Sequence, residues 1–169
     1  MPAGTALSSG AATPSVDARS CLRRYSRGAL DELVELANTG RRQLQAAVPM
    51  RDSETLQGEL GRIAAELRAA RAFLQVQAAS HWRHALAGTL KDEALHTQGT
   101  QTAILLATTC VRAVDACFAI GGSSALYETS PLQRRLRDLH VIAQHYNVQQ
   151  RHYVNAGKLL LDSSLARKK

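Results

Sequence analysis

Apolar residues recur along this chain at alternating steps of four and three, most regularly between Ser53 and Ala87. Leu56, Leu60, Ile63, Leu67, Ala70 and Leu74 form one stripe, and Gln77 and His81 extend it. That is the period of a helix packed lengthwise against near-parallel partners. Ser53 is placed to cap its first turn, and Glu54 stands near the positive end of the helix dipole. Gly88 ends it. At 1.5 Å per residue such a helix is roughly 50 Å long, which favours an extended bundle over compact, globin-like packing.

Three further segments carry the same period. Leu30, Leu33, Val34 and Ala37 give an apolar face to a helix capped by Ser15 or Asp17 and running to about Asn38, with Gly40 as its C-terminal cap. Arg41 to Asp52 form a polar connection that includes Pro49. A third helix, from about Lys91 to Ala119, buries Ile104, Ala107, Thr108, Val111, Val114 and Phe118 and stops at Gly121–Gly122. Ser130 caps a fourth, Pro131 opens it, and Leu132, Leu136, Leu139, Ala143, Tyr146 and Tyr153 share one face. The pattern predicts an all-α, antiparallel, up-down-up-down four-helix bundle over residues 15–165. Residues 1–14 read as a flexible leader with too little apolar surface to order itself. Residues 166–169 read as a basic tail.

Composition narrows the functional classes. The chain has 169 residues, the size of one domain, and a formal charge of +7. Its Lys and Arg residues are spread along the whole length and are not interleaved with aromatics, so no nucleic-acid partner is expected. Arginines on a solvated helix face are one reading. A phosphate-bearing ligand is the sharper one, because a planar guanidinium matches phosphate oxygens in pairs.

Cys110 and Cys117 share one predicted helix, where seven residues rise about 10.5 Å, beyond the roughly 7 Å Cα separation a disulfide tolerates. With Cys21 they make three cysteines and no framework, which points to a reducing, cytoplasmic setting. The N-terminus lacks the basic and apolar regions of a secretory signal. No uninterrupted apolar run approaches the roughly 20 residues that span a bilayer, so no membrane association is expected.

Several residue sets bear on chemistry. Glu93 and His96 have the Glu-x-x-His spacing of helical di-iron sites, which need a second such pair and further glutamates. No second pair exists, and no metal is expected. His81 and His84 have no acidic or Cys partner nearby in sequence. Cys110 reads as a buried small residue, with nothing local to lower its pKa. The Gly121-Gly122-Ser123-Ser124 turn has two readings. Glycines let a backbone approach a ligand and its N–H groups point at an anion, or Gly121 simply ends a helix. Arg134 and Asp138, four apart, can pair along their helix.

Together these residues carry a resemblance. Ala29-Leu30-Asp31-Glu32 lie in the first helix and Leu67-Arg68-Ala69-Ala70-Arg71-Ala72-Phe73-Leu74 in the second. Gly121-Gly122-Ser123-Ser124-Ala125-Leu126-Tyr127, Ser130-Pro131-Leu132-Gln133-Arg134, Arg137-Asp138-Leu139-His140, Gln144-His145 and Gly157-Lys158-Leu159-Leu160-Leu161 follow. Over about residues 20–161 the chain resembles the C-terminal domain of the acyl-CoA dehydrogenase superfamily, most closely its reduced-flavin monooxygenase branch.

The resemblance implies a four-helix bundle that normally follows a helical N-terminal domain and a β-domain and forms tetramers. It implies a flavin, FMN or FAD, held between the domains of one subunit and the bundle of a neighbour and reduced by a separate flavin reductase. The family's glycine turn near the cofactor phosphate falls on Gly121, Gly122 and Ser123. Its arginine after the first helix falls on Arg41, although Leu44-Gln45 stand where the dehydrogenases carry Phe-Gly. Its flavin-facing residue on the last helix falls on His145, where many dehydrogenases have a glutamate. A histidine suits proton transfer near neutrality; the alternative for His145 is a rim histidine bonded within the bundle. His140, five residues earlier, would lie about 140° round the same helix.

The expected function is therefore the helical domain of a two-component flavin monooxygenase. The alternatives are a dehydrogenase-type domain or a non-catalytic oligomerisation module. Residues 1–20 cannot encode the other domains, so the resemblance implies a fragment, a truncated product or part of a split enzyme, inactive alone. Expected partners are further copies of the chain, as a dimer or tetramer, and a separate chain carrying the missing domains.

Overall fold

A computed structural model describes residues 16–42 and 46–166 of the chain. The expected leader, Ser15 and all but the first residue of the expected tail lie outside the described residues, as do the side chains of Asp17 and Cys21. The described residues form five α-helices joined by short 3₁₀ turns: α1 (Val16–Asn38), α2 (Glu54–Leu86), α3 (Glu93–Gly121), α4 (Pro131–Ala143) and α5 (Tyr153–Ala166).

The helix ends follow from local chemistry. Ser53 Oγ accepts a bond from Leu56 N at 3.4 Å, and Asp92 Oδ1 accepts one from Leu95 N at 2.7 Å. Each satisfies a backbone donor that a helix start leaves unpaired. Gly40 and Gly88 lie past the ends of α1 and α2 at φ +76° and +70°, the left-handed conformation that closes a helix.

Helix directions follow from side-chain contacts. Ser26 meets Cys110 and Arg41 meets Ser123, so α1 and α3 run parallel. Glu66 meets Arg112, and His81 lies over Gly99, so α2 is antiparallel to α3. His140 meets Asp115 and Leu132 lies against Gly121, so α4 is antiparallel as well. The up-down-up-down order holds.

The bundle is not square. α1 and α3 pack along its diagonal, and among the described residues α2 and α4 share no extensive contact. Small residues allow that close approach: Ala29 and Ala37 on α1 are buried in one core with Ala103, Ala107, Cys110, Ala113 and Cys117 on α3. α3 is consequently the most covered helix, with one exposed line at Gln98, Leu105, Arg112 and Ala119. Its length and composition would suffice to cross a membrane, and half of that stretch is covered by the other helices. Its apolar character is that of a central helix.

One expected element is different. The fourth helix stops at Ala143 instead of continuing through Tyr153. Gln144 to His152 form a knuckle of two 3₁₀ turns, Tyr146–Val148 and Gln150–His152, before α5 begins. Val148 is buried in the core, whereas Tyr146, expected on the apolar face, is mostly exposed. The apolar period slips from Ala143 to Val148, and the backbone breaks to follow it. Side chains take over the freed backbone groups: Gln149 Nε2 donates to Gln144 O at 3.3 Å, and His152 Nε2 bonds Tyr146 O at 2.9 Å.

Candidate functional site

At one end of the bundle, three separate segments converge. Gly121 ends α3 in ordinary helical geometry, and Gly122 then turns at φ +59°, ψ −145°. That combination is almost confined to glycine. The two glycines differ in their work. A Cβ on Gly121 would lie 3.0 Å from Leu132 Cδ1 and 3.1 Å from Ala125 Cβ, so this position is a packing contact. A Cβ on Gly122 would meet nothing within 4 Å, so its backbone is open to approach.

Arg41 reaches this turn from the end of α1. Its Nη2 donates to Ser123 Oγ at 3.3 Å, across 82 residues of sequence. Its carbonyl accepts Met50 N at 2.8 Å, and buried Met50 anchors that connection. Arg41, Gly121, Gly122 and Ser123 therefore stand together. Two of their features suit an anion: a planar cation and an exposed backbone turn.

His145 is elsewhere. It lies in the knuckle, with extended backbone at φ −60°, ψ 135°, and its Nδ1 accepts Asn147 N at 3.4 Å. It caps a 3₁₀ turn, so the expected helical phase between His140 and His145 does not apply. As an acceptor, Nδ1 carries no proton in this arrangement, which leaves the hydrogen of a neutral ring on Nε2. The ring is exposed. Beside it, Arg151 sits 4.3 Å above the Tyr146 ring and His152 packs edge-on to it. His140 is occupied differently: its Nε2 lies 2.7 Å from Asp115 Oδ1, bridging α4 to α3.

A third constellation was not apparent from sequence. Arg135 on α4 lays its guanidinium over Gly28, where a side chain would collide with it, and bonds Glu32 Oε1 at 2.6 Å through Nη2 and 2.7 Å through Nε. The pair is partly buried, and Glu32 Oε2 is buried with no hydrogen-bond partner among the described residues. Burial first, and the Glu32 charge second, push the Cys117 thiol up to about 12. Burial also raises Cys110, against a smaller opposing effect of its Ser26 contact. Gly28 was the available signal, since a helix-interior glycine often marks a close approach.

Glu93 and His96 open α3 without a second acidic or histidine pair. Among the described residues no three His, Cys, Asp or Glu side chains converge as a metal site would require. The expected Arg134–Asp138 pair is not formed, and Asp138 instead lies 3.6 Å from Arg137.

The chain and its fold are similar to those of known proteins. The sequence pattern described as "Acyl-CoA dehydrogenase, C-terminal domain" matches residues 25–150. Indole-3-acetate monooxygenase of Pseudomonas putida is 29% identical over 134 residues, covering 79% of this chain and 34% of that protein. XiaF from Streptomyces sp., solved in complex with FADH2 and glycerol, superposes with a TM-score of 0.78 at 21% identity, over 86% of this chain and 38% of its own. The HsaA monooxygenase from M. tuberculosis gives 0.72 at 21% identity, over 83% of this chain and 37% of its own. Butyryl-CoA dehydrogenase from Megasphaera elsdenii gives 0.68 at 16% identity, over 85% and 35%. The chain thus spans about a third of the length of each of these relatives.

Proposed function

The chain belongs to the acyl-CoA dehydrogenase C-terminal domain family, and on that footing we propose that it supplies part of a flavin site in a two-component flavin monooxygenase. The observation that carries this is the bond from Arg41 to Ser123 at the glycine turn. It joins two expected cofactor-binding positions that lie far apart in sequence. Arg41 and Ser123 would hold a cofactor phosphate, with the Gly122 backbone free to approach it. The FADH2 in the XiaF complex favours FAD over FMN.

Bound reduced flavin would supply the electrons for oxygen activation. His145 would hold the proton, on Nε2, because Asn147 N occupies Nδ1. That bond restrains the ring and leaves the Nε2–H accessible as a hydrogen-bond donor; to pass a proton on, the ring would first release Asn147 N and take up a proton at Nδ1.

The glycine turn and His145 lie at opposite ends of α4, whose 13 residues put them roughly 20 Å apart along the axis. One copy would therefore serve the phosphate of one flavin and the ring of another, which requires an oligomer. Val76, Trp82 and Leu86 support assembly: they project from α2 well exposed, as do Leu160 and Leu161 on α5. By analogy with the longer relatives, further domains would complete the ring pocket.

Calorimetric titration with FAD tests the phosphate role. The expected result is weak binding to the chain alone, lost in Arg41→Gln and kept in Arg51→Gln. An Arg41→Gln affinity equal to native, or no heat at millimolar FAD, would remove the role and leave a helical assembly module as the function. Light scattering tests assembly, and a monodisperse monomer at micromolar concentration would count against it.

A further inference from the structure

Away from the glycine turn, α1, α2 and α3 enclose a cleft of about 800 Å³, with Arg135 of α4 reaching its edge. Its floor is apolar, formed by Leu30, Leu67, Leu74 and Leu106. Its rim is cationic. Among the described residues, Arg24, Arg27, Arg68, Arg71 and Arg135 line it, against a single aspartate, Asp31. None of Arg41, Gly121, Gly122, Ser123 or His145 takes part.

Ion pairing leaves much of this charge unmatched. Asp31 is taken by Arg27 at 2.9 Å, and Glu32 by Arg135. Among the described residues, Arg24, Arg68 and Arg71 have no carboxylate within ion-pair distance. Arg135 is the most constrained of the five. Seated over Gly28 and held through Nε and Nη2, it keeps Nη1 free of these bonds at the edge of the cleft. Guanidinium groups that line a cleft together with leucines select a ligand with two parts, an anionic head and an apolar body. The volume is that of a small-molecule pocket.

We propose that this cleft binds a small organic anion with an apolar body, its carboxylate or phosphate held by Arg68, Arg71 and Arg135 and its body on the leucines. The site stands apart from the proposed flavin residues and does not depend on them.

Titration of the full chain with 2-naphthoate, 2-naphthyl phosphate and neutral 2-naphthol at pH 7 tests it. Both anions should bind tighter than the alcohol, and the stronger of the two identifies the head group. Arg68→Gln with Arg71→Gln should weaken both anions by about tenfold or more, the scale of a lost charged hydrogen bond, and leave naphthol unchanged. Both residues are exposed on α2, and glutamine suits a helix, so the fold should survive, as a circular-dichroism melt would verify. Arg83→Gln, on α2 outside the cleft, should change nothing. Anion binding no tighter than naphthol binding would overturn the proposal. So would affinities unmoved by the double variant, or anion binding that disappears in Arg41→Gln instead. If only an acidic protein fragment binds, the small-molecule assignment is wrong.

Discussion

Arg135 occupies the space that a side chain at position 28 would need, and Glu32 holds it there. Alanine normally improves a helix interior by roughly 0.5–1 kcal/mol over glycine. At Gly28 that gain is opposed by shifting the guanidinium end of Arg135 away from Glu32. Gly28→Ala should therefore lose the gain and be mildly destabilising, by up to about 1 kcal/mol. Gly58→Ala and Gly61→Ala, in α2 with open space at the Cβ position, should stabilise it by roughly 0.5–1 kcal/mol each. Urea titrations of the three variants decide the matter; equal signs would show that Arg135 moves aside freely.

The two glycines of the turn should separate in the same assay. Gly122→Ala forces a side chain onto φ +59°, ψ −145°, a strain of about 1–3 kcal/mol. Gly121→Ala keeps helical geometry and needs only a few tenths of an ångström from Leu132 and Ala125. Gly122 should be the costlier position. For the same reason Gly122→Val would disturb the turn itself, so a cofactor role there is better read from Arg41→Gln.

The histidines should differ in kind. His140 and Asp115 are both about half exposed, so His140→Ala should cost no more than about 1 kcal/mol. In an assembled enzyme, His145→Ala should slow oxygen-dependent hydroxylation by about 10²–10⁴ with substrate affinity nearly unchanged. His140→Ala should leave that rate intact. Similar small effects from both would return His145 to a capping role alone.

The buried thiols predict a weakness to alkali. Burial raises Cys117 from 9.0 to about 12 and moves Cys110 in the same direction. Above pH 9 the unfolded chain releases these protons while the folded chain retains them. Stability is thus fully present below that pH and falls as pH rises toward 12. In a Cys21→Ser background, a thiol reagent at pH 8 should label neither cysteine until the protein unfolds. Rapid labelling of the folded chain would show that the core opens.

α2 is legible in sequence down to its cap because Ser53, the stripe from Leu56 to His81 and Gly88 all agree. Leu56, Ile63, Ala70 and Gln77 are indeed its buried positions. α3 is legible in extent only. Its expected face omits Ala103 and Leu106, both buried, because a helix packed against several others buries more than one stripe. The break after Ala143 carries no proline or glycine. Its signal is the five-residue step to Val148, together with a histidine able to bond its own backbone two residues on. The glycine turn was visible, and Arg41 could be placed beside it only by resemblance. The arginine cleft was invisible, since its charges come from three helices that no local spacing relates.

The diagonal contact between α1 and α3 has a consequence for how the chain folds. Ser26 and Cys110 are 84 residues apart, so this contact closes a long loop, whereas α2 and α3 form a hairpin across a short turn. Loop-closure entropy favours the hairpin as the earlier event, with α1 and α4 added to it later. Core substitutions between α2 and α3, such as Ile63→Val, should slow folding, while Leu33→Ala on α1 should act mainly by speeding unfolding. The first of the described helices would then be among the last to find its place.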